Sequence, residues 1–228
     1  MSTPDDRAVV RAAAEVAVQV RSLDALVDAA RALVEPGRRR FLGITGAPGA
    51  GKSTLAEQLV AALGPDAVLV GMDGFHLRDD ELARLGRLDR KGAIDTFDAA
   101  GYLNLLERLR RRTDPVVYAP VFDRGLEESI GSAQPVPAEI PLVVTEGNYL
   151  LADGPVWAQV GELLDACWYV DPSEERRLSW LVARHQRFGR TLDEARRRSY
   201  GSDERNALLI HATRRRATMV VRVEELRA

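Results

Sequence analysis

Residues Gly46 to Thr54 have the types and the spacing of a phosphate-binding loop. The pattern G-x-x-x-x-G-K-[ST] is matched at its fixed positions by Gly46, Gly51, Lys52 and Ser53. In such a loop the backbone N–H groups approach phosphate oxygens, the lysine ammonium bridges the β- and γ-phosphates, and the hydroxyl is placed to bind Mg²⁺. The expected contacts to ATP come from Gly46, Ala47, Gly49, Ala50, Gly51, Lys52, Ser53 and Thr54. The segment therefore predicts a site for a nucleoside triphosphate and magnesium.

Lysine is rare in this chain, which makes its positions informative. Lys52 and Lys91 are the only lysines among 32 basic residues, and arginine fills the other positions. A lysine offers a compact ammonium on a flexible stem, whereas the guanidinium of arginine is bulky and planar. We interpret Lys52 as a catalytic group that contacts phosphate.

Two acidic residues follow apolar runs that have the character of buried strands. Asp73 comes directly after residues 67–72, and Glu146 after residues 141–145. Because the carboxyl ends of parallel strands face the ligand crevice, Asp73 could take a proton there, and Glu146 could hold a magnesium-bound water or steer the nucleophile. The alternatives are an aspartate that opens a turn and a partly buried ion pair. His76 either hydrogen-bonds substrate or is structural.

A helical hairpin is predicted over residues 173–200. Capping-box patterns at Asp171 and Thr191 start two helices, and arginines cluster between them. Arg184 and Arg187 are three residues apart and share a helix face, so we expect the hairpin to act as a lid that closes over ATP. In that lid Arg184 contacts ATP and Arg187 is catalytic.

The remaining sequence supplies the elements that position these residues. Short apolar runs alternate with helical patterns, which is typical of βαβ units and a parallel sheet. The expected fold class is α/β: a P-loop NTPase with a three-layer α/β/α sandwich, a mostly parallel sheet and a helical lid. Residues 1–228 are expected to form a single domain in which residues 1–37 are an N-terminal helical extension, with apolar residues from Val9 to Val20 at helical spacing and Ser22 capping a second helix. Residues 125–138 are turn-rich and receive no assignment.

Composition excludes several classes of protein. The 228 residues are 46% hydrophobic and 29% charged, which is typical of a globular domain and not of a disordered one. A net charge of −2 predicts neither nucleic acid nor a membrane as a partner. Cys167 is the only cysteine, so neither an intrachain disulfide nor a zinc cluster is expected, and a cytoplasmic location fits. The oligomeric state, a homodimer included, stays open.

Over roughly residues 38–222 the chain resembles the phosphoribulokinase, uridine kinase and bacterial-type pantothenate kinase group of P-loop kinases. Within that group it is most similar to the bacterial nucleoside/nucleotide kinase-like and fructose-transport-associated sugar kinases. The resemblance rests on motifs at residues 46–54, 72–76, 90–98, 119–124, 146–151 and 206–217. It implies that Asp73 is the general base. It further implies an acceptor side formed by Lys91, Asp95, Tyr118, Asp123 and Asn148.

The expected function is transfer of the γ-phosphoryl group of Mg-ATP to a hydroxyl of a small polar metabolite. A sugar such as fructose is favoured because the acceptor candidates are polar and only 6% of the residues are aromatic, which leaves few rings to stack on a base. A pantothenate or nucleoside kinase is the alternative, and an acceptor-independent regulatory P-loop ATPase is the alternative of another class. The choice between Asp73 and Glu146 as the base stays open. Other interpretations are a helix cap for Asp95, a core residue for Tyr118 and a surface ion pair for Asp123 and Arg124.

Overall fold

Five parallel strands form the central sheet in a computed structural model that describes residues 22–222. The strand order is β2-β5-β1-β6-β7. The bounds are β1 Arg40–Thr45, β2 Ala67–Gly71, β5 Leu142–Glu146, β6 Ala166–Val170 and β7 Met219–Val221. The mostly parallel α/β sheet expected from the sequence is confirmed.

Helices follow most strands, as the alternating sequence pattern predicts. Their bounds are α1 Leu23–Arg31, α2 Lys52–Leu63, α3 Asp79–Arg84, α4 Ala99–Arg111, α5 Trp157–Leu163, α6 Glu174–Arg187, α7 Leu192–Ser199 and α8 Ser202–His211. The backbone N–H of Ala25 donates to the hydroxyl of Ser22 at the start of α1, which confirms the predicted cap. The helix predicted around Val9–Val20 lies outside the described residues.

The sheet separates two apolar cores, because successive side chains of a buried strand point to opposite faces. Phe41, Val143 and Tyr169 pack with α4 and α5 on one face. Leu42 and Ile44 pack with α1 and α2 on the other. This arrangement gives the layered sandwich and holds the strand ends in fixed positions.

Strand β1 lies at the centre of the sheet and carries the phosphate-binding loop at its carboxyl end. Leu42 is opposite Val144 of β5 on one side and Ala166 of β6 on the other. At the end of β5, Glu146 is level with Ile44 of β1 and with Gly71 of β2. The ends of three neighbouring strands therefore meet beside the loop.

An antiparallel hairpin fills the region left unassigned from the sequence. Strand β3 spans Val116–Asp123 and β4 spans Glu128–Pro137, and the two pair with each other outside the central sheet. The turn between them, at residues 124–127, projects toward the 3₁₀ turn of Met72–Phe75, because Arg124 bonds Asp73 there. The hairpin thus forms a wall beside the end of β2.

The helical hairpin predicted at residues 173–200 is present as α6 and α7, with one correction. The Thr191 capping box is formed, since Thr191 and Glu194 bond each other's backbone N–H groups. The predicted cap at Asp171 is wrong, because α6 begins two residues later, after Ser173. The Asp171 carboxylate instead accepts from Nε of Arg214 at 3.1 Å.

Candidate active site

The loop between β1 and α2 has the geometry that surrounds an anion. Gly46, Gly49 and Gly51 have φ values of +150°, +81° and +91°, a region that favours glycine. A Cβ at Gly49 would lie 2.8 Å from the carbonyl oxygen of Arg177, so a larger residue is excluded there. Gly51 precedes α2 and supplies no side-chain cap, which leaves the first N–H groups of the helix for a ligand.

Lys52 begins α2 and is buried. Its side chain donates from Nζ to the carbonyl oxygen of Ala47 at 3.1 Å. Burial lowers the pKa of Lys52 to about 8; the charge of Arg184 acts in the same direction, and that of Glu146 opposes it. The ammonium is held inside the loop by its hydrogen bond to Ala47.

Glu146 ends β5 and is buried, with 7% of its surface exposed. Ser53 and Glu146 line the same cleft, and the Ser53 hydroxyl acts to lower the pKa of the Glu146 carboxyl. Burial and the charge of Asp73 raise the pKa of Glu146 to about 7, against the opposing charge of Lys52. Ser53 and Glu146 together present two hard oxygen ligands beside the loop, which is the donor type that Mg²⁺ prefers.

Asp73 lies in the 3₁₀ turn that follows β2, next to Glu146. A guanidinium nitrogen of Arg124 donates to its carboxylate at 2.8 Å, and Nδ1 of His76 donates to its backbone carbonyl at 2.9 Å. Burial alone would raise the pKa of Asp73, but His76, Arg124 and Arg184 together lower it. Burial lowers the pKa of His76 itself. Asp73 is therefore ionised at neutral pH.

A cleft of about 300 Å³ joins the two halves of this arrangement. Ser53 and Glu146 line it on the side of the phosphate-binding loop, and Asp73, Phe122 and Arg124 line it on the side of the β3–β4 hairpin. A hydroxyl bound in the cleft would meet the Asp73 carboxylate on one side and a phosphoryl group held by the loop on the other.

The helix α6 contributes a second group of arginines. Burial lowers the pKa of Arg184, and its charge acts on Asp73 and Lys52, so it lies near the acids and the loop. Arg187 is exposed at the end of the helix. Arg177 is almost fully buried; it bonds the carbonyl oxygen of Pro48 at 3.0 Å and pairs with Glu174 and Glu204.

Comparison with known proteins identifies the family. The family model "Phosphoribulokinase / Uridine kinase family" matches residues 41–224. The chain belongs to this family. Its members are kinases that transfer phosphate to hydroxyl acceptors, and this chain is a kinase. A second model, "Methylmalonyl Co-A mutase-associated GTPase MeaB", matches only residues 7–72, which include the phosphate-binding loop.

Individual relatives of this kinase differ in the acceptor that their names give. The protein named "Putative uridine kinase C227.14" of Schizosaccharomyces pombe is 32% identical over 178 residues, which are 74% of this chain and 76% of the relative. A pantothenate kinase of Mycolicibacterium gilvum is 30% identical over 148 residues, which are 63% of this chain and 47% of the relative. The crystal structure of the "putative fructose transport system kinase" from Silicibacter sp. TM1040 has a TM-score of 0.80 and 36% identity, over 87% of this chain and 98% of that one.

The acceptor candidates of this kinase do not all meet at the cleft. Asp95 pairs with Arg90 at 2.7 Å and does not cap a helix. The ammonium of Lys91 donates to Asp79 at 2.6 Å and to a backbone carbonyl of the β3–β4 turn. Tyr118 is 58% exposed on β3, so the core interpretation of this residue is wrong. None of these three side chains lines the cleft in the part of the chain that the structure describes.

Asn148 and Asp123 flank the site, but within the described residues 22–222 neither of them lines the cleft. Asn148 follows β5 and accepts from the Thr45 hydroxyl through its backbone carbonyl at 3.2 Å. Asp123 is exposed, and its carboxylate accepts from the N–H groups of Gly125 and Leu126, so it stabilises the turn of the hairpin. The surface-pair interpretation of Asp123 and Arg124 is wrong, because Arg124 bonds Asp73 instead.

Arg124 and Arg177 are the site residues that sequence reasoning missed. Arg124 is the last residue of the motif at residues 119–124, but its partner Asp73 is 51 positions away and no local spacing indicates the pair. Arg177 is three residues after Glu174, a spacing that predicts the helix pair but not the bond to Pro48. Arginine is so frequent in this chain that neither position stands out in the sequence.

Residues 22–222 contain neither a cluster of metal-ligating side chains nor a membrane-spanning helix. No group of three or more His, Cys, Asp or Glu side chains there is arranged to hold a metal ion. No helix in that range is both long and apolar enough to cross a bilayer.

Proposed function

We propose that this kinase transfers the γ-phosphoryl group of Mg-ATP to a hydroxyl of a sugar such as fructose. The observation that carries the proposal is the cleft, because it connects the phosphate-binding loop to an ionised carboxylate at the end of the next strand. A site of this form brings a hydroxyl, a proton acceptor and a phosphoryl group within reach of one another.

The side of the site that binds ATP consists of the phosphate-binding loop, which includes Ser53, and the neighbouring Glu146. Residues 46–54 offer backbone N–H groups to the phosphates of ATP, and Lys52 offsets the charge on the β- and γ-phosphates. Ser53 and Glu146 would hold Mg²⁺, which neutralises charge on the phosphates when bound. The position of Ser53 and Glu146 in the lining of one cleft supports this assignment.

On the acceptor side Asp73 orients the hydroxyl and accepts its proton. Its ion pair with Arg124 holds the carboxylate ionised and fixes one oxygen, which leaves the other for the substrate. Arg184 adds positive charge where negative charge develops on the transferring group. His76 supports the Asp73 backbone, and Lys91, Asp95, Tyr118, Asp123 and Asn148 are kept as more distant acceptor candidates.

The proposal covers the whole chain and includes a lid. Residues 1–228 act as one kinase domain, with residues 1–37 as an extension. Residues 173–200 form the lid, and closing it would bring Arg187 to the transferring phosphoryl group. Exclusion of water on closure strengthens each of these electrostatic contacts.

A sugar is the proposed acceptor because polar or charged side chains make up half of the twelve residues that line the cleft, and Phe122 supplies the single aromatic ring among them. The structure named as a fructose transport system kinase supports the choice at 36% identity. The uridine and pantothenate kinases among the relatives name the compounds that must be compared with it.

ADP release tests the proposal, measured with Mg-ATP alone and with fructose, other sugars, uridine or pantothenate added. The expected result is turnover that depends on a sugar and is absent from the Lys52→Ala variant. Turnover that needs uridine or pantothenate replaces the acceptor but keeps the kinase. ADP release that is equal with and without every acceptor indicates a regulatory ATPase.

A further inference from the structure

One face of α6 lies over the phosphate-binding loop. Arg177, Trp180, Leu181 and Arg184 follow the i, i+3, i+4, i+7 spacing of a single helix face. Arg177 bonds Pro48, and a Cβ at Gly49 would lie 2.8 Å from that of Leu181. This face of α6 therefore lies along the phosphate-binding loop, and at its other end the charge of Arg184 acts on Asp73 and Glu146.

Trp180 differs from its neighbours on this face because it is exposed. The indole lies beside Gly51, where the loop enters α2: a Cβ at Gly51 would be 3.7 Å from ring atom Cζ3. The side chain is 39% exposed, whereas Trp157 and Trp168 are 6% and 2% exposed. The guanidinium of Arg176 lies 6.0 Å from the ring centroid, at the outer limit of a cation–π contact, and so holds the ring only weakly.

The position of Trp180 relative to the cleft is the second observation. Asp73, Phe122 and Arg124 line the acceptor side, and neither Trp180 nor any other α6 residue lines the cleft within residues 22–222. In phosphoryl transfer the attacking and leaving oxygens are roughly in line, so the nucleoside of the donor extends away from the acceptor. Trp180 lies on the loop outside the acceptor cleft, where the nucleoside would emerge.

We propose that Trp180 is the stacking platform for the purine base of the nucleotide. The inference rests on the proposed ATP-dependent function and adds the residue that holds the base. An exposed indole beside a phosphate-binding loop offers a large flat apolar surface, and aromatic rings bind bases through stacking that requires no specific hydrogen bonds. The phosphates are held by the loop and the base by α6.

The protein provides its own fluorescent probe for this contact, because Trp180 is the exposed member of its three tryptophans. Emission is recorded while ATP or inorganic tripolyphosphate is added, and calorimetry gives the dissociation constant of each. Tripolyphosphate occupies the loop but carries no base. ATP should change the emission of the wild-type chain, and tripolyphosphate should leave it nearly unchanged.

Substitutions separate stacking from other effects. Trp180→Ala should raise the dissociation constant of ATP by about 10-fold to 100-fold, the range for loss of one base–aromatic stack, and leave that of tripolyphosphate within about two-fold. Trp180→Phe keeps a ring and should recover most of the affinity. The control is Leu208→Ala, at an apolar residue 65% exposed on α8 and outside the proposed lid, which should change neither constant. Circular dichroism checks that each variant is folded.

Two results would overturn the inference. If Trp180→Ala leaves the affinity for ATP unchanged, or weakens ATP and tripolyphosphate equally, Trp180 does not hold the base, and the proposed kinase function stands. If the wild-type chain binds neither compound, the proposed function fails together with the inference.

Discussion

Asp73 and Glu146 lie at the ends of neighbouring strands, yet their surroundings move their pKa values in opposite directions. Arg124 at 2.8 Å helps to hold the pKa of Asp73 low, while burial raises that of Glu146 to about 7. Two carboxyl groups with separated pKa values are suited to separate roles. Asp73 is ready to accept a hydrogen bond from the substrate, and Glu146 becomes a ligand when a cation neutralises it.

Replacing Asp73 by Asn should lower turnover by ~10²–10⁴ while ATP binding is kept, because an amide cannot accept the proton. Steady-state kinetics and calorimetry measure the two quantities. The comparison variant is Glu146→Gln, which should instead raise the Mg²⁺ concentration needed for half-maximal rate. If Asp73→Asn stays within a few-fold of the wild type, Glu146 is the better candidate for the base.

Replacing Lys52 by Ala should lower kcat by at least about 10²–10³, because the charge on the β- and γ-phosphates is no longer offset as the bond breaks. Lys52→Arg should also be poor, since the buried ammonium lies within the loop and a planar guanidinium does not fit that space. The rate is measured at saturating Mg-ATP. Near-normal turnover of either variant would contradict the assigned role.

ATP binding should weaken as the pH rises above about 8. Burial lowers the pKa of Lys52 to about 8 in the free protein, so the side chain loses its proton above that pH. The phosphates favour the charged form, and binding must then take up a proton. The dissociation constant should rise by up to ~10-fold per pH unit. Calorimetry in two buffers of different ionisation enthalpy counts the protons taken up; Lys52→Met, which cannot titrate, should show no such uptake.

The sequence predicts this site unevenly at the residue scale. The strand–loop–helix arrangement around residues 46–54 is predicted correctly, because adjacent positions determine it; the ATP contacts of these residues stay a prediction. Asp73 and Glu146 are predicted because strand ends meet in a parallel sheet. Arg124 and Arg177 are not, because each acts on a partner brought close only by tertiary folding.

At the element scale, the hairpin of α6 and α7 presents its arginines at different depths. Arg184 acts on the acids and Arg187 is exposed, although the two are only three residues apart. A role for Arg187 in catalysis therefore requires the hairpin to move. The lid proposal becomes testable through this difference.

Replacing Arg187 by Ala should lower kcat more than it weakens ATP binding, and added substrate should not restore the rate. Arg184→Ala should lower kcat by about 10² or more, since its charge already acts at the site. Arg197→Ala, at an exposed position of α7, is the control and should be nearly silent. If Arg184→Ala is severe while Arg187→Ala behaves like the control, the hairpin does not close further and the lid assignment is wrong.

Replacing Arg177 by Ala should lower the free energy of unfolding by about 2–3 kcal/mol, because the buried Pro48 carbonyl and the partly exposed Glu204 each lose a partner. Urea unfolding followed by circular dichroism measures the change. The adjacent Arg176→Ala variant removes an exposed arginine and should stay within about 0.5 kcal/mol. Equal effects of the two substitutions would show that the buried contacts do not stabilise the fold.

The β3–β4 hairpin shows why an element escapes prediction. Strand β4 includes Pro135 and Pro137, and Ser132 has a φ of +55°, so the segment lacks the regular alternation of a strand. Its partner β3 has the sequence pattern of a strand over only part of its length, so the pairing of the two strands is not predicted either. The predicted start of α6 is also wrong. Aspartate is a common N-cap residue, but the carboxylate of Asp171 bonds Arg214 instead.

At the scale of the whole molecule, the parallel sheet follows from the alternation of apolar runs and helices, but the strand order does not. The order β2-β5-β1-β6-β7 is fixed by the contacts of each crossover with the two apolar cores. Those contacts join residues far apart in sequence. A pattern of local periodicity contains no information on them.

The central position of β1 in the sheet affects how the chain folds during its synthesis. Both neighbours of β1 are made late: β5 about 100 residues afterwards and β6 more than 120. At ~5–20 residues per second, both edges of β1 stay unpaired for about 5–20 s until β5 is made, and one edge stays unpaired for about 6–25 s until β6 is made. An apolar strand in that state invites pairing with other chains. The phosphate-binding loop therefore acquires its support on both sides only when β6 has been made, and we expect aggregation of nascent chains to start at this segment.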